Sequence, residues 1–328
     1  MLEELTHAYT PLLVWIGLGL IFSRITPDSF LRFLGQALYW VGVPLQLLVL
    51  ARHTNTSSDG LIPVEVSIGV LVLSLVIAML TWWSWQWFIK FKEKPDQQNP
   101  DQKSPDISDT RASMGSFILA TILGNTGFVG LTLTQALTSH DQGLNNDWAV
   151  LFSVTNNVIG TYGIAILIAS YFGKKNLQNN WWIQLRDLMT VPSLWAFFIG
   201  LNTQFVKLPE MVESGLENSV LVVIAFALLL VGLRLGMIQG RKSLAIASVA
   251  SLIKVLIVPL LVGLGATYFG VTGEERLVLV LMSGTPTGLS VLILAEVYDL
   301  DRDLLASSIA LTFVGLFLAL PFWLFLFS

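Results

Sequence analysis

Apolar residues in this chain gather into long runs separated by short polar stretches. A run of roughly 17 to 25 apolar residues is long enough to cross about 30 Å of hydrocarbon as a helix. Ten such runs are read from the pattern, at approximately 9–24, 30–51, 62–90, 112–138, 147–172, 184–205, 217–238, 244–269, 274–297 and 303–327. The first is short and the third long. The fold class this predicts is an all-α membrane protein of ten transmembrane helices. Between the third and fourth runs lies one long hydrophilic stretch, KEKPDQQNPDQKSPDISD at 92–109. Its prolines and near absence of aliphatic residues leave nothing to bury, so it reads as a flexible cytoplasmic loop.

Composition agrees with a membrane class. Hydrophobic residues make up 54% of the chain and charged residues 12%, against about 25% charged in an ordinary soluble domain. The start, MLEELTHAYT, carries Glu3 and Glu4 and no Lys or Arg, so no signal peptide is expected there. The chain has no cysteine, which excludes disulfides, thiolate metal sites and a cysteine nucleophile. The histidines, His7, His53 and His140, all fall outside the apolar runs, which argues against a histidine proton relay in the membrane.

Charge distribution gives an orientation. Of the 18 Lys and Arg residues, fourteen fall on one side of the ten spans, only Arg52, Lys207 and Arg276 fall on the other, and Lys254 lies in mid-span. The basic side is cytoplasmic by the positive-inside rule, so both termini are expected outside the cytoplasm, in the cell (inner) membrane. A miscount by one span would mix the two groups. The run TWWSWQWFIK at 81–90 places four indoles just before the basic loop, as an interfacial aromatic belt does. The net charge of −4 is spread over loops and says little about a partner; no nucleic-acid partner is expected.

Weak internal echoes recur in order. Ile16-Gly17-Leu18 after Pro11 is matched by Ile199-Gly200-Leu201 after Pro192, Val41-Gly42-Val43 by Val231-Gly232-Leu233, and GNTGFVGL at 124–131 by SGTPTGLS at 283–290. The division is then 1–172 and 173–328, two five-span units. Because five is odd, consecutive units take opposite orientations, the inverted repeat of many secondary transporters, whose sites form where discontinuous helices meet near the midplane.

The stretches GNTGFVGL and SGTPTGLS carry the chemistry. Mid-helix glycine costs about 1 kcal/mol against alanine, and freed backbone groups survive in a bilayer only where protein or a watery cavity satisfies them. In the ninth span, Thr285 can act as N-cap and Pro286 as first helical residue, opening a half-helix with its positive end toward a cavity. Asn125 or Thr126 can cap a second half-helix in the fourth span. Two such ends facing one another suit a carboxylate. The competing reading is that Gly124, Gly127 and Gly130 only let helices pack closely. In the fifth span Asn156 and Asn157 need partners inside the membrane, either a polar cavity or the protein itself. Lys254, costly at a helix centre, is expected to attract the anion, to serve a gating role, or to pair with Glu65 of the third span. Substrate contacts are thus expected from Asn125, Thr126, Gly127, Asn156, Asn157, Thr285, Pro286, Thr287 and Gly288, with coupling or gating by Glu65 and Lys254. No cofactor and no metal are expected.

At these residues the chain resembles the auxin efflux carrier family. The matching pieces are Gly124-Asn125-Thr126-Gly127 with Gly130-Leu131, Val191-Pro192, Lys254 with Pro259, and Pro286 followed by Leu294-Ala295-Glu296-Val297-Tyr298, Asp301 and Ala306-Ser307-Ser308-Ile309. The resemblance implies crossed, broken helices 4 and 9 and a scaffold of helices 1, 2, 6 and 7 that forms a homodimer. It further implies a transport unit of helices 3–5 and 8–10, and elevator-type movement of small organic anions such as indole carboxylates or short carboxylic acids. The sequence departs from the family at Thr132, where a proline usually follows Gly-Leu, and lacks the long loop between helices 5 and 6 of the plant carriers. The function expected is a secondary transporter, not an enzyme: no HExxH, GxSxG or paired intramembrane aspartates occur. The alternatives are a sodium-coupled symporter of the bile-acid or bicarbonate type, which would draw on Glu65, and a non-transporting membrane receptor; proton or sodium coupling stays open.

Overall fold

A computed structural model describes residues 2–53, 61–92, 107–138, 144–173, 192–236 and 244–327. Most of the 92–109 loop and the first part of the 184–205 run, Val191 included, lie outside these residues. Among the described residues regular structure is all helical, joined by one isolated antiparallel bridge. In chain order the α-helices are α1 (Leu2–Phe22), α2 (Asp28–Ala37), α3 (Val43–His53), α4 (Leu61–Lys92), α5 (Ile107–Ile122), α6 (Leu131–Leu137), α7 (Leu144–Thr155) and α8 (Ala165–Phe172). They continue with α9 (Pro192–Asn202), α10 (Glu210–Gly236), α11 (Leu244–Leu252), α12 (Val258–Tyr268), α13 (Gly273–Ser283), α14 (Ser290–Tyr298) and α15 (Arg302–Phe327).

Several of these are segments of one rod. Single π-helical stretches at Leu38–Gly42, Asn156–Ile164 and Ile253–Ile257 join α2 to α3, α7 to α8 and α11 to α12 without a break in direction of the backbone conformation. Counted this way, six helices among the described residues are long and apolar enough to cross a membrane: Ser29–Arg52, Leu61–Trp87, Asp147–Phe172, Glu210–Gly236, Leu244–Tyr268 and Arg302–Phe327. These make the chain a multi-pass membrane protein. Of the other four expected spans, two are broken by irregular backbone and two are described only in part as apolar helix. In α1 the apolar stretch among the described residues is Leu12–Phe22. The runs 112–138 and 274–297 are interrupted at 123–125 and 284–289, and 184–205 is described only from Pro192.

Packing follows small residues and apolar stripes. Helix α1 crosses α10 where Gly19 meets Gly232: a Cβ on Gly19 would stand 2.8 Å from the Gly232 Cα, and one on Gly232 would stand 2.9 Å from the Gly19 Cα. Gly200 of α9 lies as close to Leu48 and Ala51 of α3. Leu31 and Leu34 of α2 and Leu38 of the π-helical stretch that follows recur at helical spacing and bury against Ala227, Leu230 and Leu233 of α10. Arg52 closes one end of this group, donating to Thr203 O at 2.7 Å and Val206 O at 3.1 Å and pairing with Glu213 at 3.2 Å. The remaining helices pack around α5, α7, α13 and α15, whose facing sides form the main core. Asp301 caps α15 by accepting from Leu304 N at 3.0 Å and ties it to α5 through Ser113 Oγ at 2.7 Å. Of the indoles at 82–87, Trp83, Trp85 and Trp87 are exposed, as an interfacial belt requires, whereas Trp82 turns inward and packs at a tilt against Phe117.

Candidate functional site

The two interruptions meet. Helix α5 stops at Ile122, and the chain runs extended through Gly124 before a π-helical turn at Thr126–Gly130 leads into α6. Helix α13 stops at Ser283 and the chain resumes helical form at Ser290. Between them Gly124 and Thr287 form an antiparallel bridge. Asn125 N donates to Pro286 O at 2.7 Å, and Gly288 N donates to Leu123 O at 3.2 Å. Two of the backbone donors and two of the carbonyls that the breaks strip of helical partners are therefore satisfied by the opposite break, which helps non-helical backbone persist inside a membrane.

Glycine permits the approach at two of its three positions. A Cβ on Gly124 would collide with the Thr285 hydroxyl, and one on Gly130 would stand 2.9 Å from both Met282 Sδ and Thr285 Cγ2. Gly127 differs: the nearest atoms to its missing Cβ are Ser153 Oγ at 3.9 Å and Asn157 Nδ2 at 4.0 Å. Close packing accounts for Gly124 and Gly130, and Gly127 faces a polar strip with room beside it.

On the α6 side, Asn125 is the cap. Its Oδ1 accepts from Phe128 N at 3.4 Å, while its Nδ2 has no partner among the described residues. The N–H groups of Thr126 and Gly127 open this helix and are of the kind that a helix leaves without internal acceptors. The Thr126 hydroxyl receives bonds from Ser153 Oγ at 3.2 Å and Asn157 Nδ2 at 3.4 Å, and Asn157 Nδ2 also donates to Ser153 O at 2.8 Å. Asn157 is thereby held by the protein. Asn156, 2% exposed, keeps a buried Oδ1 with no hydrogen-bond partner, at the first residue of the π-helical stretch that distorts this rod.

The α13 side departs from the sequence expectation. Pro286 does not begin a helix, and Thr285 does not cap one that follows it. Thr285 instead donates back to Met282 O at 3.1 Å, closing α13, and α14 begins only at Ser290. The reason is the bridge: residues 285–288 must stay extended to pair with Gly124. Thr287 donates from Oγ1 to Ala120 O at 2.8 Å and from its backbone N to Thr312 Oγ1 at 3.0 Å. Thr285, Pro286, Thr287 and Gly288 are all buried, and the polar groups described turn into the protein.

Lys254 and Glu65 are not brought together. Lys254, 1% exposed, donates from Nζ to Ile122 O at 3.3 Å. That carbonyl ends α5, where a helix lacks internal donors and where its dipole favours a cation. Glu65 is exposed on α4, and no ion pair joins it to Lys254. The amine goes to the broken helix end because that end presents an orphan acceptor inside the core, which an exposed carboxylate does not. Glu296 is likewise exposed.

Residues that the sequence reading missed complete the site. Gln46 of α3, 1% exposed, donates from Nε2 to Gly127 O at 3.0 Å, linking the α1–α3–α9–α10 group to the first break. Tyr39 and Tyr162, in two different π-helical stretches, approach one another across the same boundary. Gln46 had a signal, since a lone amide in the apolar run 30–51 needs a partner as much as Asn156 does. Thr312 gave none, being one hydroxyl among several in its span. A recess of about 340 Å³ lies away from the crossing, lined by residues of α1, α2, α10 and the turn between α1 and α2.

No family model matches the chain. It is similar over nearly its whole length to an uncharacterized transporter of Methanocaldococcus jannaschii, 21% identical over 319 residues that cover 95% of this chain and 94% of that protein. A second likeness, 25% identical over 221 residues, covers 66% of this chain and 68% of an uncharacterized transporter of Methanothermobacter thermautotrophicus.

Proposed function

We propose that this chain is a membrane transporter that carries a small organic anion, its carboxylate held at the crossing of the two broken helices. The observation that carries the reading is the paired break: two irregular segments, 163 positions apart between Gly124 and Thr287, joined by an antiparallel bridge inside an apolar helical protein. A soluble-style helix bundle has no use for such a feature, and in a bilayer it supplies helix ends and amides where the surroundings are otherwise hydrocarbon. The likeness to two transporters supports the class.

In this reading the anion meets Asn125 Nδ2 and the opening N–H groups at Thr126 and Gly127, while the unpartnered Oδ1 of Asn156 is an acceptor for a donor elsewhere on the cargo. The resemblance to auxin efflux carriers supports indole carboxylates or short carboxylic acids as cargo. Ten spans in an inverted five-plus-five repeat fit the same picture. So do a dimerising scaffold of helices 1, 2, 6 and 7, a mobile unit of helices 3–5 and 8–10, and both termini outside the cytoplasm. Gln46 and the Tyr39–Tyr162 contact then lie on the boundary that an elevator movement must slide. The sodium-coupled alternative is weakened by the placement of Glu65, which is exposed on α4.

The test is a thermal-shift screen of purified protein against aromatic monocarboxylates, dicarboxylates, bicarbonate and bile acids, with and without sodium, followed by flux in proteoliposomes. Ligands of the native state raise the melting point. Stabilisation by a carboxylate, lost in Asn125→Ala together with flux at equal protein yield, is the expected result. Stabilisation by sodium alone would overturn the reading in favour of ion coupling, and binding without flux would make the protein a receptor.

A further inference from the structure

Glycines key the helices to one another in two separate groups. In the first group Gly19 and Gly232 interlock α1 with α10, and Gly200 seats α9 on α3. In the second, Gly115 interlocks α5 with α8, while Gly263 and Gly284 fit α12 and the end of α13 against α15. Such close approaches of small residues fix helices in a membrane protein against each other. Among the described residues no glycine makes one across the boundary between α1–α3 with α9 and α10 on one side and α4–α8 with α11–α15 on the other. Each group is keyed internally, and the surface between them is not.

Tyr9 and Gln46 of the first group reach over this boundary. Each serves a main-chain carbonyl that the second group has left short of a donor. Phe317 lies four residues before Pro321 inside α15, and proline has no N–H, so the α-helical donor to Phe317 O is missing. Tyr9 Oη donates to that oxygen at 2.8 Å, with its ring 5.4 Å from the Phe317 ring. At the first break, Leu131 N would serve Gly127 O in an α-helix. In the π-helical turn it goes to Thr126 O and Phe128 O instead, and Gln46 Nε2 donates to Gly127 O at 3.0 Å.

Apolar contact is non-directional, so one unkeyed surface slides along another with little change in energy. A hydrogen bond from a fixed donor is met in one register alone, and a carbonyl that loses its donor inside a membrane protein is costly. We propose that Tyr9 and Gln46 form a latch that sets the register of the two groups, and that movement of the second group past the first begins by parting these two bonds. The need for such a movement rests on the transporter reading; the latch does not depend on which cargo the crossing carries.

The chain has no cysteine, so Ser214→Cys on α10 and Thr272→Cys at the start of α13, both exposed, carry one spin label on each group. Pulsed electron paramagnetic resonance in lipid nanodiscs then reads the distance between the groups. The labelled pair is expected to give one dominant distance. Tyr9→Phe, which keeps the ring, and Gln46→Leu should each raise the ratio of a second distance to the first about fivefold, and together about twenty-five-fold. Pro321→Ala returns an N–H to Phe317 O, and in that background Tyr9→Phe should change the ratio by less than about twofold. Gln204→Leu removes a bond of the same kind inside the first group, from Nε2 to Ala51 O at 2.8 Å; it should lower the melting point and leave the distances alone. A lowered melting point with unchanged distances in the Tyr9→Phe, Gln46→Leu double variant would overturn the proposal, making both bonds ordinary packing. So would a Tyr9→Phe effect undiminished by Pro321→Ala. Thermal shifts with carboxylates on the same samples keep the two readings apart: their absence removes the cargo from the crossing, while the distances alone decide the latch.

Discussion

Replacing Lys254 by methionine isolates what a buried amine does at a broken helix. Counted even as a bond from a charged donor, the contact from Nζ to Ile122 O at 3.3 Å contributes about 1.5–3 kcal/mol. A lysine at the centre of a membrane span costs about 2.5–3.5 kcal/mol on insertion scales. Lys254→Met keeps the unbranched side chain as far as Cε and removes both effects. The folded chain should therefore end between about 0.5 kcal/mol less stable and about 2 kcal/mol more stable. At roughly 2 °C per kcal/mol in a chain of this size, the melting point in detergent moves from about 1 °C down to about 4 °C up. Carboxylate flux in proteoliposomes should fall at least tenfold all the same, because the last carbonyl of α5 loses its donor at the edge of the crossing. A drop in melting point beyond about 5 °C would refute the energetic argument, showing that the amine anchors the fold. Undiminished flux would remove Lys254 from the site.

Asn156→Leu removes an amide whose buried oxygen has no partner, so stability should hold or rise by about 1 kcal/mol while flux falls; a clear loss of stability in thermal unfolding would mean the amide is satisfied. Gln46→Leu strips the donor from Gly127 O and should cost about 1–2 kcal/mol, read as a lower melting point. Gly124→Ala forces a methyl against the Thr285 hydroxyl and should cost about 1–3 kcal/mol, whereas Gly127→Ala, with nothing nearer than 3.9 Å, should stay within about 0.5 kcal/mol. Equal melting points for the two alanine variants would contradict the crossing geometry.

The breaks themselves were legible. Glycine and proline in the middle of an apolar run carry a local cost that only a special backbone explains, and the interruptions at 123–125 and 284–289 overlap GNTGFVGL and SGTPTGLS. What those breaks pair with was not legible, because it depends on where two distant segments cross. The rule that proline opens a helix led to a start at Pro286, yet the antiparallel pairing holds 285–288 extended and delays α14 to Ser290. Lys254 drew attention as a charge in need of a carboxylate, and Glu65 was the acid in view. The structure answers with a main-chain carbonyl at Ile122, a type of partner that residue letters do not display. Gln46 stayed hidden for the same reason, its partner being the carbonyl of a glycine.

The crossing also inverts an ordinary rule about which amides exchange with solvent first. Irregular backbone usually opens before helix, since fewer neighbours hold it. Asn125 N and Gly288 N lie in just such segments, but each is bonded to the opposite break. Neither can be uncovered without parting α5 and α6 from α13 and α14. Deuterium should therefore reach these two positions more slowly than it reaches many helical amides toward the ends of α4 or α15, making the least regular backbone in the molecule among its most durable.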